Sequence, residues 1–276
     1  EVLGTSVVEV AGQRILRSYG ALPHPNILGG FMFLAIFLGI YLWINLYQKC
    51  DKNKWKTNFI KKHIPELLFI LTSLIISTYG LLTSFSRSAL LALFLGLLSA
   101  LLINTFKNNW LIVNVIVKYA VIFLIILWSF NFWSPGTWST RWHMEGRLEE
   151  QAIEERISTM GQIGFDSYKN MMVGQGLGMN TYLTFQKDVN QPAYSAQPIH
   201  NIFVLSLAEL GIIGVLLLFN ILAMVFKAAN KVDIMSTSLI LGLAVIGMFD
   251  HYLWTSWVGM LMLAFAFVNL YKQQEK

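Results

Sequence analysis

Two arginines border long apolar stretches of the sequence and are the first candidates for chemistry. Arg17 precedes the apolar block 27–47, and Arg87 separates the blocks 66–85 and 88–106. A guanidinium at membrane depth costs about 2.5–3.5 kcal/mol on insertion scales, so it generally faces water or a partner. Arg87 has no evident acidic partner in the adjacent blocks, and guanidinium groups bind phosphate oxygens in a bidentate way. We expect both to bind an external anion; contacts with lipid headgroups or helix C-terminal carbonyls are the alternative.

His200 is the candidate for proton transfer. It lies at the start of the apolar block 200–226, after Pro198 and before Asn201. A neutral imidazole near the membrane interface can accept a proton from a hydroxyl group, whereas a helix cap is the alternative. Glu209 lies nine residues further on, about half a turn away on a straight helix, so it is not expected to orient His200 directly. An intramembrane carboxylate still indicates function or a buried partner.

The remaining polar candidates are weaker. Arg14 is a less favoured anion ligand than Arg17. Arg147 and Arg156 are expected to pair with nearby glutamates at helical spacing. Asp250 and His251 are expected to form a solvated turn between two apolar blocks; a contribution to the site is the alternative. The chain has one cysteine and lacks zinc or nucleotide-sugar metal motifs, so we expect no metal site and no cofactor.

The elements that position these residues are expected to be membrane helices. Hydrophobic residues make up 55% of the chain and charged residues only 13%, against about a quarter in soluble domains. Seven apolar blocks are near the length of about 20 residues that a helix needs to cross a membrane. They are 27–47, 66–85, 88–106, 111–132, 200–226, 234–250 and 253–271. The predicted fold class is therefore an all-α polytopic membrane protein.

The basic residues predict the orientation of these helices. The segment between the first two blocks holds six lysines, which indicates a cytoplasmic loop. If each successive helix crosses the membrane in the opposite direction, eleven lysines lie on the cytoplasmic side and all six arginines lie on the opposite side. The lysines thus act as topology signals near anionic lipids, and nothing indicates nucleic-acid binding.

This alternation divides the chain into four segments. Residues 1–26 form an extracytoplasmic segment that contains β-branched runs typical of a hairpin. Residues 27–133 hold helices one to four, 134–199 form a long extracytoplasmic loop, and 200–276 hold helices five to seven. Within the loop, 146–165 has the spacing of an amphipathic helix. Gly174-Gln-Gly-Leu-Gly178 follows no buried strand, so it is interpreted as a turn that approaches other backbone closely.

The order of these motifs resembles the O-antigen ligase and polymerase superfamily of bacterial membrane glycosyltransferases. The motifs are Arg17-Ser-Tyr-Gly20, His24-Pro25-Asn26, Ser86-Arg87-Ser88, Gly174 to Gly178, and His200-Asn201 followed by Gly211-x-x-Gly214. The last motif is the most specific, and the resemblance covers about residues 10–226. Members of the superfamily have around a dozen spans, so this chain is expected to be the C-terminal portion of a longer protein.

The resemblance implies a donor glycan linked to undecaprenyl diphosphate and a reaction at the outer face of the bacterial cytoplasmic membrane. Arg17 and Arg87 would hold the diphosphate, and His200 would accept the proton of a hydroxyl on a glycan, lipid or protein acceptor. Transfer would proceed with inversion and without a metal. The loop arginines Arg141, Arg147 and Arg156 would guide the anionic glycan or pair with nearby glutamates, and pairing is favoured for Arg147 and Arg156. Asn201 and Glu209 would be supporting residues.

Two other functions remain open at this point. A transporter or flippase for a lipid-linked or anionic polysaccharide would need polar residues through the membrane centre, whereas this chain concentrates them at one face. A membrane sensor or structural subunit would use the long loop as a binding module, and polysaccharide would survive changes at Arg17 or Arg87.

Overall fold

Long apolar helices dominate the structure, a computed structural model that describes residues 5–10, 13–52, 57–138, 154, 156–157, 168–187, 190, 196–228 and 234–272. The chain divides into two compact units. The first unit comprises Ser6–Trp142 and Ile234–Leu243, and the second comprises Glu1–Thr5, His143–Asp233 and Ala244–Lys276.

The first unit begins with the predicted hairpin. Strand β1 (Val7–Val10) pairs antiparallel with β2 (Gln13–Leu16). Val8 on β1 is buried in a cluster with Leu82, Phe85, Phe130 and Trp138. The β-branched residues therefore form an extended pair that packs on the helices.

Four long helices follow, close to where the apolar blocks predict them. They are α1 (Pro25–Lys52), α2 (Thr57–Ser84), α3 (Arg87–Phe106) and α4 (Trp110–Trp133). Pro25 is the first residue of α1, a position where the missing N–H of proline costs nothing. Helix α1 packs against α2, α3 and α4, and its centre is the buried core of the unit.

The second unit starts with two short helices from the predicted loop, α5 (Tyr168–Val173) and α6 (Met179–Lys187). Both pack against α7 (Ile202–Ala228), which is interrupted by non-helical backbone at Gly211. The predicted amphipathic helix 146–165 lies outside the described residues except for Glu154, Arg156 and Ile157.

The last two predicted spans differ in outcome. The block 234–250 coincides with α8 (Ile234–Phe249), whereas the block 253–271 is divided into α9 (Tyr252–Thr255) and α10 (Trp257–Lys272). The expectation of one continuous helix there is wrong, because Ser256 is in an extended conformation. Five helices, α1 to α4 and α7, are long and apolar enough to cross a membrane among the residues the structure describes, and the chain is an all-α polytopic membrane protein.

Candidate active site

The turn between α2 and α3 places Arg87 at a helix start. Phe85 adopts a left-handed backbone conformation with φ of 50°, and its ring packs against Phe130 and Trp138. The Ser86 hydroxyl accepts the N–H of Ala89 at 3.4 Å and so caps α3, whose first residue is Arg87. The half-buried Arg87 side chain therefore lies at a helix N-terminus, where backbone N–H groups and the helix dipole favour the binding of anions.

Arg17 is fixed beside the same turn. Its side chain is 5% exposed, and its Nε donates to the carbonyl oxygen of Ser84 at 2.8 Å, three residues before Arg87. The terminal nitrogens donate to Ser6 Oγ at 2.9 Å and to Asn26 Oδ1 at 2.5 Å. Arg17 thus joins the segment before β1, the start of α1 and the end of α2. Contact with a helix C-terminal carbonyl, the alternative raised from sequence, is observed.

Arg17→Ala should destabilise the first unit, because three acceptors would lose a charged donor in a buried place. Hydrogen bonds to charged groups contribute about 1.5–3 kcal/mol each, so we expect the free energy of unfolding to fall by at least about 2 kcal/mol. Arg14→Ala is the control, because Arg14 is exposed on β2. This substitution should change the free energy of unfolding by less than about 0.5 kcal/mol. Thermal unfolding in detergent measures both variants, and equal midpoints would contradict the assignment.

His200 lies in a short segment that is anchored on both sides. The backbone N–H of Ile199 donates to Asn180 Oδ1 on α6 at 3.2 Å. Asn201 caps α7, since its Oδ1 accepts the N–H groups of Phe203 and Val204 at 3.0 and 3.1 Å. The side-chain amide of Asn201 also donates to a carbonyl oxygen at the end of α8, that of Met248, at 3.1 Å. Hydrogen bonds therefore hold the backbone on both sides of the half-buried His200 side chain.

The connector, residues 248–255, comprises the last two residues of α8, the turn after them and α9, and it packs against His200. The rings of His200 and His251 are 5.0 Å apart between centroids, with an angle of 81° between their planes. The solvated turn expected for Asp250 and His251 is wrong, because Asp250 is 4% exposed and Tyr252 is 3% exposed. The side chain of Asp250 instead accepts the backbone N–H of His251 at 3.0 Å. The ring contact of His251 with His200 agrees with the alternative raised from the sequence, that this turn contributes to the site.

Burial lowers the pKa of His251 below its usual value, and the positive charge of Arg156 lowers it further. The carboxylate of Asp250 acts in the opposite direction and only partly compensates. The His251 side chain is therefore biased towards the neutral form.

Glu209 also contacts the connector. Its carboxylate accepts the indole N–H of Trp254 at 2.9 Å, and the residue is 2% exposed. Glu209 therefore has a half-buried indole as its hydrogen-bond partner. Glu209 and His200 are thus held by two different residues of the same connector.

The glycine-rich turn docks on the break in α7. The N–H groups of Gln175 and Gly176 donate to the carbonyl oxygens of Ala208 and Glu209 at 2.9 and 3.0 Å. A Cβ on Gly174 would lie 2.2 Å from the Glu209 oxygen, and one on Gly211 would lie 2.4 Å from the Gly174 nitrogen. The close backbone approach predicted for this turn is confirmed.

The candidate residues therefore form two groups, one in each unit. In the first unit, Arg17 lies beside the turn that leads to Arg87. In the second unit, His200, Asn201 and Glu209 each contact the connector. Arg14 is exposed on β2. Arg141 and Arg147 lie outside the described residues.

Comparison with known proteins gives a family match. The family model described as O-antigen ligase matches residues 72–219, slightly more than half of the chain. This region contains Arg87, the glycine-rich turn, His200 and Gly211. No curated protein and no solved structure gives a significant match. The chain therefore belongs to the O-antigen ligase family and is a multi-pass bacterial membrane protein of the glycosyltransferase type.

Proposed function

We propose that the protein transfers a glycan from undecaprenyl diphosphate to an acceptor hydroxyl at the outer face of the cytoplasmic membrane. The observation that carries the proposal is the family match, which spans both Arg87 and His200. The lysine distribution supports the orientation, with 1–26 and 134–199 on the extracytoplasmic side. The acceptor is a glycan, a lipid or a protein.

The proposed reaction is a displacement at the anomeric carbon. The acceptor oxygen attacks this carbon while His200 removes its proton, and the bond between the carbon and the diphosphate oxygen breaks. The electron pair of that bond leaves with undecaprenyl diphosphate. Because attack and departure occur on opposite faces of the sugar, the product has inverted configuration.

Arg87 is assigned to the leaving diphosphate. A guanidinium at a helix N-terminus supplies fixed positive charge where negative charge develops, so no metal is needed in this scheme. Arg17 is assigned to the same donor site because it bonds to Ser84, three residues before Arg87. Its three protein acceptors give it a second task, which is to hold the turn in shape.

The other candidates have supporting roles in the proposal. Asn201 fixes the backbone next to His200, and Glu209 holds the connector through Trp254. Arg14 and Arg141 are proposed to guide the anionic glycan, whereas Arg147 is proposed to pair with nearby glutamates.

The fate of the lipid-linked glycan tests this function. A strain that lacks the protein is complemented with the full-length wild type, and its glycans are analysed by electrophoresis and mass spectrometry. We expect a new glycosidic product only in the complemented strain. Long polymer would indicate a polymerase, and glycan on lipid A, protein or cell wall would indicate a ligase. Translocation of the lipid-linked glycan with no new glycosidic bond would contradict the proposal.

Arg87→Lys should lower the rate of transfer at least about 10-fold, because lysine keeps the positive charge but cannot form the bidentate hydrogen bonds of a planar guanidinium. Arg87→Ala should lower it by about 10²–10³-fold, the loss typical when a donor to a developing anion is removed. Lys107→Arg, at the opposite end of the same helix, is the matched control and should leave transfer unchanged. Initial rates in membranes with equal amounts of protein measure this. Normal transfer by Arg87→Ala would remove Arg87 from the donor site.

A further inference from the structure

The ring of His251 has a defined orientation. Its Nδ1 lies 2.7 Å from the hydroxyl oxygen of Thr255, one helical turn further along α9. The same hydroxyl oxygen lies 3.3 Å from the backbone carbonyl oxygen of His251. Thr255 therefore contacts both the ring and the backbone of His251, and these two contacts tie the ring to α9.

The connector that carries this ring is anchored to α7 on both sides of His251. Met248 accepts the side-chain amide of Asn201, and Trp254 donates to the carboxylate of Glu209. Gly247, next to the connector, packs closely on the start of α7, since a Cβ there would lie 2.5 Å from Cδ1 of Ile202. The position of the His251 ring relative to the start of α7 is thus set by contacts other than its own.

The charges around His251 favour its neutral form. Asp250 and Arg156 act on it in opposite directions, and burial together with Arg156 lowers its pKa. Two positively charged imidazoles with ring centroids 5.0 Å apart would repel each other. A neutral His251 leaves the neighbouring His200 as the imidazole of the pair that can take up a proton.

We propose that His251 is a positioning residue for His200, whose imidazole it holds edge-to-face in the orientation required for proton transfer. The inference rests on the function proposed above and deepens it. His251 contributes its ring and the rigidity of its connector, and it takes no proton itself. A misplacement of a reacting group by about 1 Å can cost about 10²-fold in rate, so the orientation of His200 is a property that a neighbour can control.

Three variants of the full-length protein test the role in transfer, with lipid-linked glycan extracted from the source bacterium as donor. His251→Ala removes the ring and should lower kcat at least about 10-fold, with KM for the donor within about twofold. His251→Phe keeps an aromatic ring and should restore kcat to within about threefold of the wild type. Thr255→Val releases the ring and should give an intermediate kcat. Wild-type kcat in His251→Ala overturns the inference. A His251→Phe variant as inactive as His200→Gln also overturns it, since the nitrogens of His251 would then act themselves.

A second measurement does not depend on transfer. Membranes are treated with diethyl pyrocarbonate, which modifies neutral imidazoles, and tryptic peptides are analysed by mass spectrometry. Lys187 and Lys227 bound the peptide with His200, while Lys231 and Lys272 bound the peptide with His251. We expect His200 to react several-fold faster in His251→Ala than in the wild type or His251→Phe. Equal rates in all three overturn the inference, whereas a wild type without transfer overturns the proposed function.

Discussion

Glycan transfer should fall by about 10²–10⁴-fold when His200 is replaced by glutamine, the range expected for the loss of a general base. Glutamine keeps much of the size and polarity of histidine but cannot accept a proton at neutral pH. Asn201 still caps α7 in this variant, and the Ile199 N–H still bonds to Asn180, so insertion and folding should be preserved. The loss should therefore appear in kcat and not in the amount of protein in the membrane.

The measurement compares rates of product formation in membranes that contain equal amounts of each protein. His63→Gln is the control, because His63 lies on α2 near the predicted cytoplasmic lysines and has no part in the proposed reaction. It should transfer glycan at the wild-type rate. Wild-type transfer by His200→Gln would remove His200 as the base.

The second large effect is expected at the break in α7. Gly174→Ala would bring a Cβ within 2.2 Å of the Glu209 oxygen, and Gly211→Ala would bring one within 2.4 Å of the Gly174 nitrogen. Both residues also have positive φ, at 78° and 63°. The turn would have to leave the helix, and the carbonyl groups of Ala208 and Glu209 would lose their donors. Backbone strain of about 1–3 kcal/mol and about 1–3 kcal/mol per unsatisfied group predict a loss of at least about 3 kcal/mol.

Gly178→Ala separates the effect of backbone strain from the effect of steric overlap at the docked turn. Gly178 has a similar positive φ of 74°, but a Cβ there would meet nothing within 4 Å. This variant should lose only the strain contribution, about 1 kcal/mol. Thermal unfolding in detergent and the yield of inserted protein measure all three variants. Equal small losses in Gly174→Ala and Gly178→Ala would show that the docking of the turn contributes little.

The first four helices are predictable from the sequence because their apolar blocks are uninterrupted. Lipid leaves the backbone no alternative to its own hydrogen bonds, so a long apolar block almost has to be a helix. The polar break around Arg87 and the hairpin before α1 are predictable for the same local reason. In each case the turn residues and the β-branched runs specify the conformation without distant partners.

The features that sequence reasoning missed depend on distant contacts. Gly211 lies in an apolar block that reads as continuous helix, and its break is stabilised by donors from Gln175 and Gly176. Asp250 was expected in solvent because nothing local shows that its turn is buried. The sequence indicates Arg17 as an anion ligand, but it does not show that the same side chain also bonds to the end of α2. Charge and hydropathy locate such residues but do not identify their partners.

The break in α7 has a consequence for how far the glycine-rich turn reaches. Gly211 lies nine residues beyond Ile202, and a rise of about 1.5 Å per residue puts the break about 13–14 Å along the helix axis. The turn bonds to α7 at that level, far from the start of a helix long enough to cross the bilayer. The turn therefore docks part-way along an apolar helix, where its backbone N–H groups provide donors for the two carbonyl groups beside the break.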